Sequence, residues 1–327
     1  MPARPKALVT APVSGPGLEL LKEIADVVVD PWIDHQPLRI YNAEQLAERA
    51  AQEGANLLVV EADNCAGPVF ERDLIAVCSC RGDPNNVDVD AATKARVPVL
   101  RAPGRNADAV AEIAVALLLA ATRGVVEADR DVRTGEVYRD GTIPYQRYRA
   151  WQLAGRTAGL VGLGAVGRAT KWRLEGLGMN VIAADPYAAD ANCSLDELLA
   201  RSDVVSMHVG VNAETTGMIG AEQFDKMRDG AVFINTARAQ LHDTDALVAA
   251  LQSKKLSAAG LDHFVGEFLA TDHPLVSMKN VVLTPHIGGA TYDTEANHTR
   301  IIAEDLVRLL AGARPLNCVN PEVLGAR

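Results

Sequence analysis

The chain has 327 residues, of which 48% are apolar and only 4% aromatic, enough apolar material for one large or two ordinary domains. Its net charge of -10 disfavours a nucleic-acid partner or an anionic membrane surface, since both favour a basic protein face. Its five cysteines have no C-x-x-C spacing, which disfavours a disulfide scaffold or a zinc site and favours a reducing cytoplasm.

The first third of the chain alternates short apolar runs with helical patterns, which is typical of an α/β domain. Strands are predicted at Ala7–Thr10, Val27–Val29, Leu57–Val60, Ile75–Ser79 and Pro98–Leu100. Helices are predicted between them, for example at Ala43–Ala51 and Val89–Ala95. The N-terminus leads directly into the first strand, without the apolar region of a signal peptide.

Two dissimilar segments follow the first third of the chain. Ala107–Thr122 is apolar nearly all round, which predicts a buried helix. Its longest apolar run, Ala114–Ala121, is far shorter than the ~20 residues that a membrane span needs. Arg123–Arg149 is polar and rich in arginine, which indicates a connecting arm and a candidate dimer contact.

A second α/β alternation begins at Trp151. Six strands are predicted at Thr157–Leu160, Asn180–Ala183, Val204–His208, Ala231–Asn235, Ala258–Leu261 and Val281–Thr284. The helices between them include Ala165–Leu177, Ser194–Ala200 and Asp243–Gln252. Six strands with crossover helices is the number in a complete dinucleotide-binding sheet. The chain is predicted to end with a helix over Thr291–Ala311 and an extended Pro315–Pro321.

The segment Gly162–Gly167 is Gly-Leu-Gly-Ala-Val-Gly, a G-x-G-x-x-G pattern between a predicted strand and a predicted helix. In that context the glycines permit a tight turn, the approach of a pyrophosphate to the backbone, and close packing of helix on strand. Asp185 ends the next strand, where a carboxylate accepts from the ribose hydroxyls of NAD and repels the 2′-phosphate of NADP. The sequence therefore predicts NAD as the cofactor, the alternative being a glycine-rich turn in an unrelated α/β protein.

Three residues suited to acid–base chemistry follow strands at their carboxyl ends, where open parallel sheets bind ligands. Arg238 follows one strand, Glu267 lies just beyond Asp262 at the end of another, and His286 follows the last. Reduction of a 2-oxo acid needs a cation for the carboxylate and a proton donor to the carbonyl, which arginine and histidine supply. A carboxylate beside that histidine orients its ring and favours the protonated form.

These segments together resemble the D-isomer-specific 2-hydroxyacid dehydrogenases, a family that includes phosphoglycerate, glycerate, formate and D-lactate dehydrogenases. The likeness covers nearly the whole chain and rests on Asn106–Glu112, Gly162–Gly167, Asn235–Arg238, Gly260–Glu267, Thr284–Gly289 and Asn317–Asn320. It implies an α/β fold of two doubly wound parallel-sheet domains with a cleft between them. The flavodoxin-like substrate domain would take residues 1–103 and 290–327, and the Rossmann NAD-binding domain residues 104–289. Homodimers would form through the NAD-binding domains.

The resemblance also implies a role for each site residue. Arg238 binds the substrate carboxylate and carbonyl, His286 is the general acid/base, and Glu267 is the partner of His286. Asp262 binds the nicotinamide carboxamide. The predicted cofactor-binding residues are Gly162, Gly164, Ala165, Val166, Gly167, Asp185, His208, Thr236, Ala237, Arg238, Asp262, His286 and Gly288. The predicted substrate-binding residues are Arg81, Asn106 and Arg238.

His263 is the rival of His286, because it follows a strand beside Asp262, where the family usually has an apolar residue; a modulating role is the favoured interpretation. No supporting pattern surrounds His35, His242, His273 and His298. A metal site built from Asp262, His263 and His286 is allowed by residue type. None of these residues has helical i, i+4 ligand spacing, however, and no metal is predicted.

The loops that would face the substrate depart from the family pattern. Glu61–Asn64 is acidic where phosphoglycerate dehydrogenases tend to place a basic residue, which disfavours a phosphorylated substrate. Asp63 and Asp83 are candidates for hydrogen bonds to substrate hydroxyls, as in a sugar acid. Arg101 and Arg105 flank the predicted hinge, either as further cations for the substrate or as ordinary surface charge.

Two other functions stay open at this point. C-terminal-binding-protein corepressors share the fold and have the same Arg, Glu and His. Such a protein would sense NAD(H) and would not catalyse the turnover of a substrate. The compact chain, without a long disordered tail, disfavours that class. A dehydrogenase of a non-oxo-acid substrate is a further alternative, because phosphite dehydrogenases also belong to the family. The favoured hypothesis is a cytoplasmic, NAD-dependent, homodimeric oxidoreductase of small D-2-hydroxy acids.

Overall fold

The computed structural model describes residues 4–325. The chain divides into two units, one of which runs to Asn106 and resumes at Thr291, while the other is Ala107–Ala290. Each unit contains one sheet of parallel strands. The prediction of two α/β domains with parallel sheets is confirmed.

The first unit contains a five-stranded sheet with the order β2-β1-β3-β4-β5, the flavodoxin-like arrangement. Its strands are β1 Lys6–Val9, β2 Asp26–Val29, β3 Leu57–Val60, β4 Ala76–Ser79 and β5 Val99–Leu100. Its helices are α1 Pro16–Ile24, α2 Ala43–Glu53, α3 Val89–Lys94 and a C-terminal helix, Tyr292–Leu310. The helix α1 is an addition to the elements that the sequence pattern indicates.

Both faces of this sheet are buried, because successive side chains of a strand point to opposite faces. In β3, Val59 packs in one core with Leu21 of α1 and Leu306 of the C-terminal helix. Its neighbour Leu58 packs in a second core with Leu46 of α2. The unbroken apolar runs in the sequence therefore correspond to strands covered by helices on both sides.

The C-terminal tail is held beside β5. The amide of Val319 donates to the carbonyl oxygen of Val99 at 2.8 Å, and the buried Asn320 side chain accepts from the amide of Val99 at 2.8 Å. The buried Asp305 of the C-terminal helix accepts from the amide of Asn317 at 2.9 Å. These contacts explain how residues from both ends of the chain build one unit.

The second unit contains a six-stranded parallel sheet with the order β7-β6-β8-β9-β10-β11. Its strands are β6 Thr157–Val161, β7 Asn180–Ala184, β8 Val204–Met207, β9 Ala231–Asn235, β10 Leu256–Leu261 and β11 Val281–Leu283. The chain runs from β6 outward to β7 and then returns to the other side of β6. The carboxyl ends of β6 and β8 therefore flank the switch point, where open α/β sheets bind ligands.

The helices of the second unit cover both faces of its sheet. They are α4 Ala107–Arg123, α5 Val125–Thr134, α6 Pro144–Arg147, α7 Ala165–Gly176, α8 Leu195–Arg201, α9 Ala221–Lys226, α10 Thr244–Gln252 and α11 Pro274–Ser277. The helix α4, which its apolar sequence predicts to be buried, is buried on one side: Ala114, Leu117 and Leu118 are buried, whereas Ala116 is exposed. Among the described residues, no single helix is long and apolar enough to cross a membrane, and only α4 and α5 together, bent by 63°, pass that test.

The arginine-rich arm over residues 123–149 is more ordered than its polar sequence indicates. Its buried Asp131 accepts from the hydroxyl of Tyr148 at 2.6 Å and pairs with Arg147 at 3.2 Å and Arg139 at 3.0 Å. Hydrogen bonding to these groups lowers the pKa of the Asp131 carboxyl. Arg139 and Arg147 of the arm therefore have a structural role around one buried carboxylate.

Candidate active site

The loop between β6 and α7 has a shape that requires glycine at two positions. Gly162 has φ +98°, and a Cβ there would lie 2.8 Å from the carbonyl group of His208. A Cβ at Gly167 would overlap the carbonyl oxygen of Gly162. At Gly164, by contrast, a Cβ would meet no atom within 4 Å. The loop is tightly closed on the protein side and open at Gly164, as the approach of a pyrophosphate to the backbone requires.

Asp185 directly follows β7 and is held by the same loop. Its Oδ2 accepts from the amide of Leu163 at 2.7 Å, and its Oδ1 accepts from the amide of Tyr187 at 2.8 Å. Each carboxylate oxygen has a second acceptor position, which is suited to a ribose hydroxyl. The loop and the carboxylate therefore form one structure that fits a dinucleotide.

Buried polar atoms without a partner lie at the carboxyl ends of the central strands. Among the described residues, both ring nitrogens of His208 after β8 and the hydroxyl of Thr236 after β9 have no hydrogen-bond partner. Burial lowers the pKa of His208 to about 4, so its imidazole is neutral near neutral pH. Buried polar groups are seldom left unpaired, and these atoms fit contacts to a polar cofactor.

The loop after β9 presents Arg238 and is fixed by a side chain that the sequence analysis did not single out. The buried Asn235 accepts from the amides of Ala237 at 2.9 Å and Arg238 at 3.3 Å, and its Nδ2 donates to the carbonyl oxygen of Arg238 at 2.8 Å. The Arg238 side chain donates to the carbonyl oxygen of Ala237 at 2.6 Å. An asparagine at the end of a strand, three residues before a candidate arginine, is the signal that could have identified this supporting role.

Behind this loop, His242 supports Asn235. Its Nδ1 lies 3.0 Å from Nδ2 of Asn235, and its ring packs edge-on against Phe233. Burial lowers the pKa of His242 to about 4, so the neutral ring accepts the hydrogen bond from Asn235. His242 therefore contributes to the structure of the loop.

Asp262 anchors the loop that carries His286. Its Oδ1 accepts from the hydroxyl of Thr284 at 2.6 Å and from the amide of Ile287 at 2.9 Å. Its Oδ2 accepts from the amide of Gly288 at 2.8 Å. A Cβ at Gly288 would lie 2.9 Å from this oxygen. Three of the four acceptor positions of the fully buried Asp262 are thus used within the loop.

His286 and Glu267 form a direct pair. Nδ1 of His286 lies 2.9 Å from Oε1 of Glu267, and the two side chains are 44% and 58% exposed. Both residues have positive φ, +55° for His286 and +57° for Glu267. The left-handed backbone is costly for residues other than glycine, and such strain clusters at functional sites. The pairing leaves Nε2 of His286 for another partner.

His263 is buried against the accessible His286. The two ring centroids are 3.8 Å apart, at an angle of 55° between the ring planes. Burial, with the positive charges of His286 and Arg238, lowers the pKa of His263 to about 4. His263 is therefore a neutral ring that packs against His286, and of the two rings only that of His286 is open to solvent.

The predicted substrate residues of the first unit have different surroundings. Arg81 donates to the carbonyl oxygen of Glu61 at 2.6 Å and to Asn85 Oδ1 at 2.6 Å, so its guanidinium connects its own loop to the loop after β3. Asp83 is exposed, and Asn106 is half-buried at the boundary of the unit.

Two interpretations of the first unit need correction. Asp63 is fully buried and accepts from the hydroxyl of Thr10 and from the amide of Tyr41 at 2.7 Å, which makes it a structural residue and not a contact for substrate hydroxyls. Arg105 is not ordinary surface charge: it is largely buried, pairs with Glu61 at 2.6 Å and lies 2.8 Å from His298.

Comparisons with known proteins agree with this geometry. The sequence profile described as D-isomer specific 2-hydroxyacid dehydrogenase, NAD binding domain, matches residues 115–288. A glyoxylate reductase of Thermofilum pendens is 38% identical over 338 residues, which cover 99% of this chain and 97% of that protein. A D-3-phosphoglycerate dehydrogenase of Archaeoglobus fulgidus is 40% identical over 72% of this chain and 45% of that protein. The TT0316 protein of Thermus thermophilus, a solved structure, has a TM-score of 0.81 and 34% identity, covering 96% of this chain and 99% of that chain.

Proposed function

This chain belongs to the D-isomer specific 2-hydroxyacid dehydrogenase family, and from that premise we propose that it interconverts a small D-2-hydroxy acid and its 2-oxo acid with NAD. The observation that carries the proposal is the His286–Glu267 pair, at 2.9 Å, in the unit that also holds the glycine loop. An accessible imidazole held by a carboxylate is suited to proton transfer.

The proposed roles follow from the contacts of each residue. The guanidinium of Arg238 binds the carboxylate of the acid, since a planar cation matches two carboxylate oxygens. His286 gives its proton to the carbonyl oxygen during reduction and takes it back during oxidation. Glu267 holds Nδ1 of His286 and thereby directs Nε2 to the substrate. Asn235 and Asp262 hold the two loops in place.

NAD, when bound, supplies or accepts the hydride. The residues of this chain that would hold it are the glycine loop Gly162–Gly167, Asp185 for the ribose, and the unpartnered polar atoms of His208 and Thr236. The carboxylate of Asp185 favours NAD over NADP, because the 2′-phosphate carries a negative charge into the same place.

The substrate is proposed to be small and without a phosphate. The glyoxylate reductase of Thermofilum pendens matches over 97% of its length, whereas the phosphoglycerate dehydrogenase of Archaeoglobus fulgidus matches over 45% of its length. In this chain the loop after β3 begins with Glu61. Its carboxylate pairs with Arg105, so the guanidinium of Arg105 is not available to bind a substrate phosphate.

Oxidation of NADH, followed by its absorbance, tests the proposal directly. The purified protein is offered glyoxylate, hydroxypyruvate, pyruvate and phosphohydroxypyruvate, each with NADH and with NADPH. We expect turnover with NADH on the unphosphorylated acids and its loss in His286→Ala. Binding of NADH without turnover on any acid would contradict the proposed activity.

The protein is further proposed to be a cytoplasmic homodimer. Its five cysteines are free thiols, which agrees with a reducing compartment. Large apolar side chains of the arm and of the residues just after it are exposed in the single chain: Val132 (67%), Tyr145 (78%) and Trp151 (79%). Burial of such side chains against a second copy of the chain would favour a dimer. Light scattering should give a dimer for the wild type and a monomer for Tyr145→Asp/Trp151→Asp, and a monomeric wild type would contradict the proposal.

A further inference from the structure

The ring of His286 lies close to a second histidine and to a carboxylate. The candidate ligand atoms of His263, Glu267 and His286 all lie within 4.8 Å of one another. Two of them, on Glu267 and His286, are already 2.9 Å apart. Asp262, which the sequence placed in a candidate metal set, is instead occupied by the His286 loop. Glu267 takes its place beside the two histidines.

This set of atoms has the chemistry of a zinc site. Imidazole nitrogen and carboxylate oxygen bind Zn²⁺ at about 2.0–2.2 Å, and three protein ligands leave an open position on the ion. Tetrahedral ligands around such an ion are about 3.4 Å apart. Ligand atoms up to 4.8 Å apart must therefore approach each other by up to about 1.4 Å, whereas the pair at 2.9 Å must separate by about 0.5 Å. Glu267 and His286 are 58% and 44% exposed and have room to move. His263 is buried and provides a fixed point.

We propose that His263, Glu267 and His286 form a binding site for Zn²⁺, and that zinc at this site inhibits the enzyme. The bound ion takes the lone pair of His286 and the carboxylate of Glu267, so neither is available for proton transfer. Mg²⁺ and Ca²⁺ prefer oxygen ligands and are not expected to compete at a site with two nitrogens. The inhibition rests on the proposed function, whereas zinc binding does not.

Metal binding at this site is tested without any measurement of enzyme activity. Tag-free protein, stripped of metals with EDTA, is titrated with Co²⁺ and followed by its visible absorption, and then with Zn²⁺ by calorimetry. We expect one equivalent to bind, with the absorption of a tetrahedral Co²⁺ site. His263→Phe keeps an aromatic ring against His286 and removes the ligand, and His263→Gln is a second variant in case the first does not fold. Both should lose the Co²⁺ spectrum, and His35→Asn should retain it.

Inhibition is tested on the same proteins with NADH and the best acid substrate. Micromolar Zn²⁺ should stop turnover reversibly, with recovery on addition of EDTA and no effect of Mg²⁺. The Zn²⁺ concentration for half-inhibition should rise by at least about tenfold in the His263 variants, because changing residues that only support metal ligands already costs about 10–100-fold in metal affinity. Absence of a stoichiometric Co²⁺ site, or its persistence in both His263 variants, would overturn the site. Binding without inhibition would overturn the inhibitory role. A protein that turns over no acid would instead contradict the proposed function, and the Co²⁺ titration would still decide the site.

Discussion

At the scale of single residues, the site depends on side chains that hold other side chains. Glu267 orients His286, Asn235 shapes the loop of Arg238, and Asp262 fixes the loop of His286. The residues of the proposed chemistry are recognisable in the sequence by type and by position after strands. Asn235 was missed because its role depends on a side chain that folds back on its own loop.

Removal of the charge of Glu267 tests its role as a positioning residue. Glu267→Gln keeps the size of the side chain but removes the carboxylate that lies 2.9 Å from Nδ1 of His286. We expect kcat to fall about 10- to 100-fold, less than the 10²–10⁴-fold that direct acid–base catalysis contributes. The KM for NADH should change little. Stopped-flow and steady-state rates check this, with Glu222→Gln as a surface control; an unchanged kcat would refute the role.

The cofactor preference is expected to depend on Asp185. Asp185→Ser removes the negative charge beside the amide of Leu163 and should lower the ratio of kcat/KM for NADH to that for NADPH by at least about tenfold, or about 1.4 kcal/mol. Both cofactors are measured with the same acid. Asp196→Ser, an exposed carboxylate elsewhere in the unit, should leave the ratio unchanged. An equal ratio in wild type and Asp185→Ser would count against the assignment.

At the scale of elements, the strands were predictable and the arm was not. The central strands of the two sheets are short apolar runs, since helices cover both faces and no polar side is needed. The helix α5 was missed because its polar sequence folds around Asp131, and its partners Arg147 and Tyr148 are distant in sequence. Glycines at both ends of α5, Gly124 and Gly135 in left-handed conformation, were the available signal.

The glycine loop offers a matched pair of substitutions. Gly167→Ala places a methyl group on the carbonyl oxygen of Gly162, which must shift, at a cost of about 1–3 kcal/mol in stability. Gly164→Ala meets no atom within 4 Å and should leave the thermal midpoint unchanged, while raising the KM for NADH. Differential scanning fluorimetry and initial rates separate the two effects. If Gly164→Ala binds NADH as the wild type does, the open side of the loop is not the pyrophosphate site.

At the scale of the whole molecule, buried neutral histidines connect stability to pH. Burial lowers the pKa of four histidines to about 4: His208, His242, His263 and His298. The unfolded chain binds these protons near pH 6.5, and the folded protein does not until about pH 4. The part of the free energy of unfolding that depends on these histidines is therefore fully present above pH 6.5 and is lost as the pH falls toward 4. The loss is at most about 1.4 kcal/mol per pH unit for each histidine.

His242 allows this dependence to be measured in one residue. His242→Asn places an amide oxygen near the position of Nδ1, so that the hydrogen bond from Asn235 has an acceptor that does not titrate. The thermal midpoint of this variant should fall less steeply between pH 6.5 and 4 than that of the wild type. His35→Asn, at a partly exposed histidine, serves as the control. Parallel pH profiles for wild type and His242→Asn would disprove the linkage at this position.

The left-handed backbone at Glu267 and His286 affects which substitutions this chain would accumulate under selection for stability. Gly266 and Glu267 adopt positive φ in succession, and His286 does so alone. Glycine at 267 or 286 would relieve strain on the order of 1 kcal/mol at each position. Populations of variants selected for heat resistance alone should therefore accumulate glycine at these two positions, and yield proteins that outlast the parent while losing its chemistry.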